Sequence, residues 1–176
     1  MTLGKDVSEL FPLIIKNMET HNNELKKLIY LYIINYARSN PDFALLAINS
    51  FTKDATDSNP FTRALAVRTM GCLRIKGIVE YLSKPLSLSL QEENSYVRKT
   101  GVLCVAKLYA SHSVLINELD LVKRVKGLLN DGNTMVLTNA LACLNSIEEK
   151  GGRKFKLDFT QVNRFLTALD EANEWG

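Results

Sequence analysis

The stretch NPFTRALAVRTMGCLR, residues 59–74, decides the fold, because three other stretches of the chain follow its pattern. Each begins on an asparagine: NNELKKLIYLYIINYA on Asn22, NSYVRKTGVLCVAKLY on Asn94 and NTMVLTNALACLNSIE on Asn133. The four asparagines stand 37, 35 and 39 residues apart, a period typical of helical-repeat proteins. Counting from each Asn, position 3 holds Leu25, Thr62, Val97 and Val136, and position 7 holds Ile29, Ala66, Gly101 and Ala140. Position 10 holds Tyr32, Thr69, Cys104 and Cys143; position 11 holds Ile33, Met70, Val105 and Leu144; position 14 holds Tyr36, Leu73, Leu108 and Ile147. These positions lie along one side of a 3.6-residue helix, so each stretch predicts an amphipathic helix that buries the same face. Position 7 is small in three of the four, which lets a neighbouring helix come close. Gly101 gives up about 1 kcal/mol of helix propensity relative to Ala, a cost that tight packing offsets.

Start signals agree with this register. Asn59-Pro60 and Asn40-Pro41 each read as an N-cap followed by proline at the first helical position. Asp158 followed by Gln161 reads as a capping box for the last helix. Four more helices are expected between the first four, over residues 6–19, 41–56, 78–91 and 120–130. Pro85 is expected to split the third of these into a helix ending near Ser83 and another starting near Leu86. A ninth helix, about residues 160–172, begins the next unit. Strand signals are essentially absent. Paired helices at this period describe an all-α, right-handed α-solenoid of HEAT/armadillo-like repeats, one domain over residues 1–176 with about four helix pairs and a final helix. An acid also precedes a base by six residues in two repeats, Asp57 to Arg63 and Glu92 to Arg98; Asp131 keeps the acid, but Leu137 replaces the base. These residues read as a ladder of polar contacts between successive repeats, or else as surface pairs that contribute little.

Composition narrows the function classes. With 46% hydrophobic and 23% charged residues the chain is globular, which excludes wholesale disorder. Its longest apolar runs fall short of the roughly 18 residues that span a bilayer, and the opening MTLGKDVSEL lacks the apolar core of a signal peptide. A net charge of +3, spread along the chain, does not describe a nucleic-acid binder. Cys72, Cys104 and Cys143 lie far apart without a C-x-x-C pair, each inside an apolar helical pattern, and read as small buried hydrophobes of a reducing compartment. His21 and His112 fall in connecting segments without a Ser, Cys or carboxylate constellation around them. No metal, cofactor or catalytic residue is expected, and the protein reads as a binding scaffold rather than an enzyme. Two surfaces remain as candidates. Lys26, Lys27, Arg63, Arg68, Arg98 and Lys99 recur on the polar sides of successive helices, as a solvated face or as a patch for phospholipid headgroups or an acidic partner. In PDFALLAINSF, Ala44, Ala47, Ile48 and Phe51 form one stripe, whereas Leu45 and Leu46 lie off it and imply a second buried face, against a neighbouring repeat or a partner.

The segments ELKKLIYLYIINYA, NPFTRALAVRTMGCLR, EYLSKPL and YVRKTGVLCVAKLY closely resemble the N-terminal trunk of the β-adaptins, the large β subunits of the adaptor protein complexes of vesicle coats. The similarity runs from MTLGKDVSELFP to FLTALDEANEWG. It implies a scaffold segment in vesicle-mediated intracellular protein transport, acting in coat assembly and cargo sorting. The implied partners are the second large, medium and small subunits, with peripheral membrane association through the whole complex and no nucleic acid. The implied location is cytoplasmic, on coated vesicles of the Golgi and endosomes or of the plasma membrane. In the family, the early β repeats also contact an Arf-type small GTPase, and the positions matching that contact are Leu45 and Ile48. Family members carry further helices before the position of Met1 and a longer trunk, hinge and appendage after Gly176, so this chain is expected to be a fragment whose two ends are cut surfaces. The rival reading is a HEAT/armadillo carrier of extended peptides, such as a nuclear transport receptor. Such carriers favour regularly spaced Trp and Asn, and the single Trp175 argues against that reading.

Overall fold

The structure, a computed structural model, describes residues 6–73, 75–151 and 154–171. Its helices are α1 (Phe11–Lys16), α2 (Asn23–Tyr36), α3 (Pro41–Leu46), α4 (Ile48–Asp54), α5 (Pro60–Leu73), α6 (Lys76–Ser89), α7 (Ser95–Glu118), α8 (Leu121–Gly127), α9 (Thr134–Glu149) and α10 (Phe159–Glu171). Short 3-10 turns, Ser8–Leu10 and Leu128–Asn130, precede α1 and follow α8. Among the described residues none lies in a strand.

The four asparagines cap the helices as their spacing predicts. Asn22 Oδ1 accepts from the N–H groups of Glu24 and Leu25, Asn59 Oδ1 from Phe61, Asn94 Oδ1 from Tyr96, and Asn133 Oδ1 from Met135 and Val136. Each therefore supplies an acceptor to first-turn N–H groups that have none within their own helix. The buried stripe follows too. Positions 7, 10 and 11 are buried in all four helices, and positions 3 and 14 in three of four. The exceptions are Tyr36, which is half-buried, and Leu25, which is 43% exposed. In α2 the next residue, Lys26, takes the inward place instead, drawn there by Asp54. The box that opens α10 is complete. Gln161 N–H donates to Asp158 Oδ1 at 2.8 Å, and Asp158 N–H donates to Gln161 Oε1 at 3.1 Å.

Five expectations are corrected. The helix over residues 6–19 is a 3-10 turn followed by the six-residue α1, because Pro12 stands in its first turn and its ring blocks an α-helical turn before it. The helix over 41–56 divides at Ala47 into α3 and α4. There a tightened turn, Ala47 N–H to Ala44 C=O at 3.2 Å, brings Ala44, Ala47, Ile48 and Phe51 into one buried face. Asn40 does not cap α3; its Nδ2 donates back to the Tyr36 carbonyl at 3.4 Å. Pro85 does not split its helix: α6 runs through it. Burial of Ile78, Val79, Leu82, Leu86 and Leu90 along one stripe outweighs a cost of about 3 kcal/mol for an internal proline. His112 sits inside α7 rather than in a connection, at a kink with φ −138° and ψ 45°.

Contacts divide the chain, read above as one domain over 1–176, into two compact units, Met1–Pro85 and Leu86–Gly176. In the first, α1 lies against α2 and α3, and α5 packs against α2 and α4. In the second, α9 packs against α7, α8 and α10, and α8 also touches α7. Each unit stacks successive helix pairs, as an all-α solenoid does. The close approach expected at position 7 is visible at Gly101. A Cβ added there would stand 2.4 Å from Ser89 Oγ and 3.2 Å from Leu90 Cδ2, so no larger residue fits without movement.

Candidate interaction surface

The polar residues nearest the helix starts do structural work first. Lys26 and Asp54 are each 6% exposed, and Lys26 Nζ lies 2.8 Å from both carboxylate oxygens of Asp54. The Tyr30 hydroxyl donates to the same carboxylate, and its ring meets Phe51 edge-on at 4.9 Å. Burial, then the hydrogen bond to Asp54, pushes the Tyr30 phenol above its ordinary range, so it stays a donor. Two buried charges are tolerable only when each is paired and hydrogen-bonded, and here the ammonium and phenol together occupy both oxygens. The triad ties α2 of the first helix pair to α4 of the second. Neither Asp54 nor Tyr30 stands out in the sequence. The available signal was that Lys26 occupies position 4 of its repeat, as Arg63 and Arg98 do.

Arg98 makes the equivalent link in the second unit. Its Nε lies 2.7 Å from Asp131 Oδ2 and its Nη2 2.8 Å from Oδ1, a two-pronged pair joining successive repeats. Its Nη1 donates to the carbonyls of Glu92 and Glu93, at 2.8 and 2.6 Å. Arg63 treats its own turn alike, with Nη1 at 2.7 Å from the Asp57 carbonyl and 2.9 Å from that of Ser58. The ladder expected between repeats thus exists at Arg98. Its rung is the acid of the following repeat, while the acid six residues earlier offers Arg98 its backbone carbonyl. Burial raises the Asp131 carboxyl, but the Arg98 hydrogen bond, the Asn133 N–H and the Arg98 charge together bring it below its ordinary value. The bond to Asp131, against a smaller opposing effect of burial, holds Arg98 above its own.

These contacts revise the proposed basic patch. Lys26 is buried in an ion pair and does not lie on a polar side. Arg63 and Arg98 are half-buried and hold turn carbonyls, and Lys99 is half-buried beside Arg98 in sequence. Lys27 is exposed and pairs with Glu24 at 2.8 Å; Arg68 is exposed. Of the six, only Lys27 and Arg68 stand fully at the surface.

The apolar surface of α3 is better defined. Phe43 and Leu45 are each 38% exposed and Leu46 is 64% exposed, while Ile48, at 6%, belongs to the core with Ala44, Ala47 and Phe51. Ile48 is therefore a packing residue and presents nothing to a partner. Leu45 serves both sides. A Cβ on Gly77 would stand 2.9 Å from Leu45 Cδ2, so this leucine rests on the first turn of α6 while one flank stays open. The off-stripe leucines mark a neighbouring repeat at Leu45 and open surface at Leu46.

Elsewhere the described residues hold no group of three or more His, Cys, Asp or Glu placed to bind a metal ion, and no helix among them is long and apolar enough to cross a membrane. Cys104 and Cys143 are buried and Cys72 half-buried. Burial pushes the Cys143 thiol up to about 12, against a small opposing effect of Lys150.

Comparison with known proteins follows the same lines. The adaptin N-terminal region family matches residues 1–176. The AP-1 complex subunit beta-1 of Mus musculus is 50% identical over 178 residues, covering 100% of this chain and 19% of that protein. The AP-1 complex subunit beta of Dictyostelium discoideum is 49% identical over 177 residues, covering 100% and 19%. The AP-1 complex subunit beta-1 of Saccharomyces cerevisiae is 45% identical over 178 residues, covering 99% and 24%. The chain thus spans about a fifth of the length of these relatives. Among solved structures, an engineered protein superimposes with a TM-score of 0.59 at 22% identity over 81% of this chain and 63% of that one, a likeness of fold alone. With its capped helix pairs, its buried stripes and a match along all 176 residues, this chain belongs to the adaptin N-terminal region family.

Proposed function

We propose that the chain is a non-enzymatic scaffold segment of an adaptor-complex β subunit, working in vesicle-mediated intracellular protein transport. The observation that carries this reading is the family match over the whole chain, together with about half identity to AP-1 complex β subunits from an animal, an amoeba and a yeast. Stacked helices suit the role, because they offer long ridges for other subunits and need no reactive group. The partners are the second large, medium and small subunits of the complex. Membrane association is peripheral and comes through the assembled complex, on the cytoplasmic side of Golgi, endosomal or plasma-membrane coated vesicles. An Arf-type small GTPase docks on the open apolar surface of α3, where Leu45 contributes and Ile48 does not.

Purification of the tagged full-length protein from its own cells tests the scaffold role. The expected result is recovery of the other large, medium and small subunits; a preparation that is folded and soluble but brings none of them overturns it. The GTPase contact has a separate test. Leu45→Asp should abolish binding of a GTP-loaded Arf-type GTPase while the helical circular dichroism stays unchanged. Retained binding, or loss of helicity, removes Leu45 from the docking surface.

A further inference from the structure

We propose that Asp131–Gly132 is a self-modification site, at which the chain isomerises to isoaspartate when Arg98 does not hold the Asp131 carboxylate. It is the only Asp-Gly or Asn-Gly pair in the sequence. The chemistry is intrinsic to such a pair. The Gly132 backbone nitrogen gives up its proton and its electron pair bonds to Asp131 Cγ, while one oxygen of the protonated carboxyl leaves as water. The five-membered succinimide so formed then takes up a water. Opening at Cγ restores aspartate; opening at the main-chain carbonyl carbon gives isoaspartate, with the chain now running through Cβ and Cγ. Glycine favours the attack, because no Cβ shields its nitrogen and its backbone turns freely.

The turn brings the reacting groups together. Asn133 N–H donates to Asp131 Oδ1 at 2.8 Å, which folds the carboxyl group over the Gly132 peptide. Gly132 is exposed, and a Cβ built on it meets nothing within 4 Å, so the space beside it is open. Arg98 opposes the reaction. Its Nε and Nη2 hold Oδ2 and Oδ1 at 2.7 and 2.8 Å, which fixes the side chain and engages both oxygens in their ionised form. Burial raises the carboxyl, yet the Arg98 bond and the Asn133 N–H keep it below its ordinary value, so little of the protonated acid that the attack requires is present. Asp57-Ser58-Asn59 in the first unit provides an internal reference. Asn59 N–H donates to Asp57 Oδ1 at 2.7 Å in the same way, but a serine stands where the attacking glycine would be. Isomerisation at Asp131 adds one carbon to the main-chain path and leaves the carboxylate on the α-carbon. Arg98 then loses its two-pronged partner, and the rung between the two repeats of the second unit parts.

Incubating the full chain in heavy-oxygen water near neutral pH tests this. Each passage through the succinimide inserts one solvent oxygen, so mass spectrometry of the peptide that contains Asp131 counts passages, and chromatography separates its aspartyl and isoaspartyl forms. Arg98→Lys keeps the charge but loses the fork, and it should raise labelling at Asp131 about ten-fold while the Asp57 peptide stays at its wild-type rate. Arg98→Gln is the second variant, read in the same way should Arg98→Lys lose its helical circular dichroism. Wild type unfolded in urea should label Asp131 faster than folded wild type. Gly132→Ala, for which the turn has room, should suppress labelling with or without Arg98. A folded Arg98 variant that labels Asp131 no faster than the wild type overturns the proposal. So does folded wild type that labels as fast as the unfolded chain.

Discussion

Replacing Gly101 with alanine adds one carbon atom at the tightest point in the second unit. Built on the observed backbone, that carbon lies 2.4 Å from Ser89 Oγ and 3.2 Å from both Ser89 Cβ and Leu90 Cδ2. Ser89 cannot yield freely, because it is buried and its hydroxyl donates to the Leu86 carbonyl at 2.7 Å. Swinging the hydroxyl away sacrifices that bond, about 0.5–1.5 kcal/mol, and leaves a buried polar atom to be satisfied, about 1–3 kcal/mol. Keeping it in place means moving α7 away from the end of α6, an overpacking strain of about 1–3 kcal/mol. Against either stands a gain of about 1 kcal/mol in helix propensity. Alanine should therefore cost about 1–2 kcal/mol net, and leucine at least about 3 kcal/mol, because its branch meets Leu90 as well. Urea denaturation followed by circular dichroism reads the effect. Gly127→Ala is the control, since a Cβ there meets nothing within 4 Å and should leave stability unchanged or slightly raised. Adding Ser89→Ala should recover part of the loss in Gly101→Ala, because it removes the nearest clash. A Gly101→Ala protein as stable as the wild type would refute the argument that position 7 is small because the helices touch there.

Three further outcomes follow from the polar and thiol chemistry. Asp131 has a depressed pKa in the folded chain, so its contribution is whole above its ordinary value of about 3.9 and disappears as pH falls through the depressed value; Asp131→Asn should flatten that acid loss and cost about 1.5–3 kcal/mol at pH 7 in a pH series of melts. Lys26→Met alone strands the Asp54 carboxylate and should cost about 3–5 kcal/mol, whereas Lys26→Met, Asp54→Leu and Tyr30→Phe combined should recover most of it; a triple variant no better than the single one would mean that the charges themselves stabilise the fold. With the Cys143 thiol held near 12, a thiol reagent at pH 8 should modify half-buried Cys72 first and Cys143 only on unfolding, as peptide mass mapping would show.

What the sequence determined alone is the repeat and its register. Asparagine caps, the small residue at position 7 and the apolar positions 10 and 11 are local properties of a 3.6-residue helix, so they can be read without knowing what lies opposite. The capping box at Asp158 and Gln161 is legible for the same reason, since both of its bonds fall within one turn. Only the tertiary structure decided the rest, wherever one residue's place depends on another far along the chain. Lys26 reads as a surface lysine until Asp54, 28 residues on, draws it inward. Pro85 reads as a helix end until the buried stripe on both sides of it outweighs the lost hydrogen bond. Leu45 and Ile48, three residues apart, look equally apolar, yet the turn at Ala47 sends Ile48 into the core and leaves Leu45 resting on Gly77 with one side open. Burial is a pairwise property, and a single sequence states only one member of each pair.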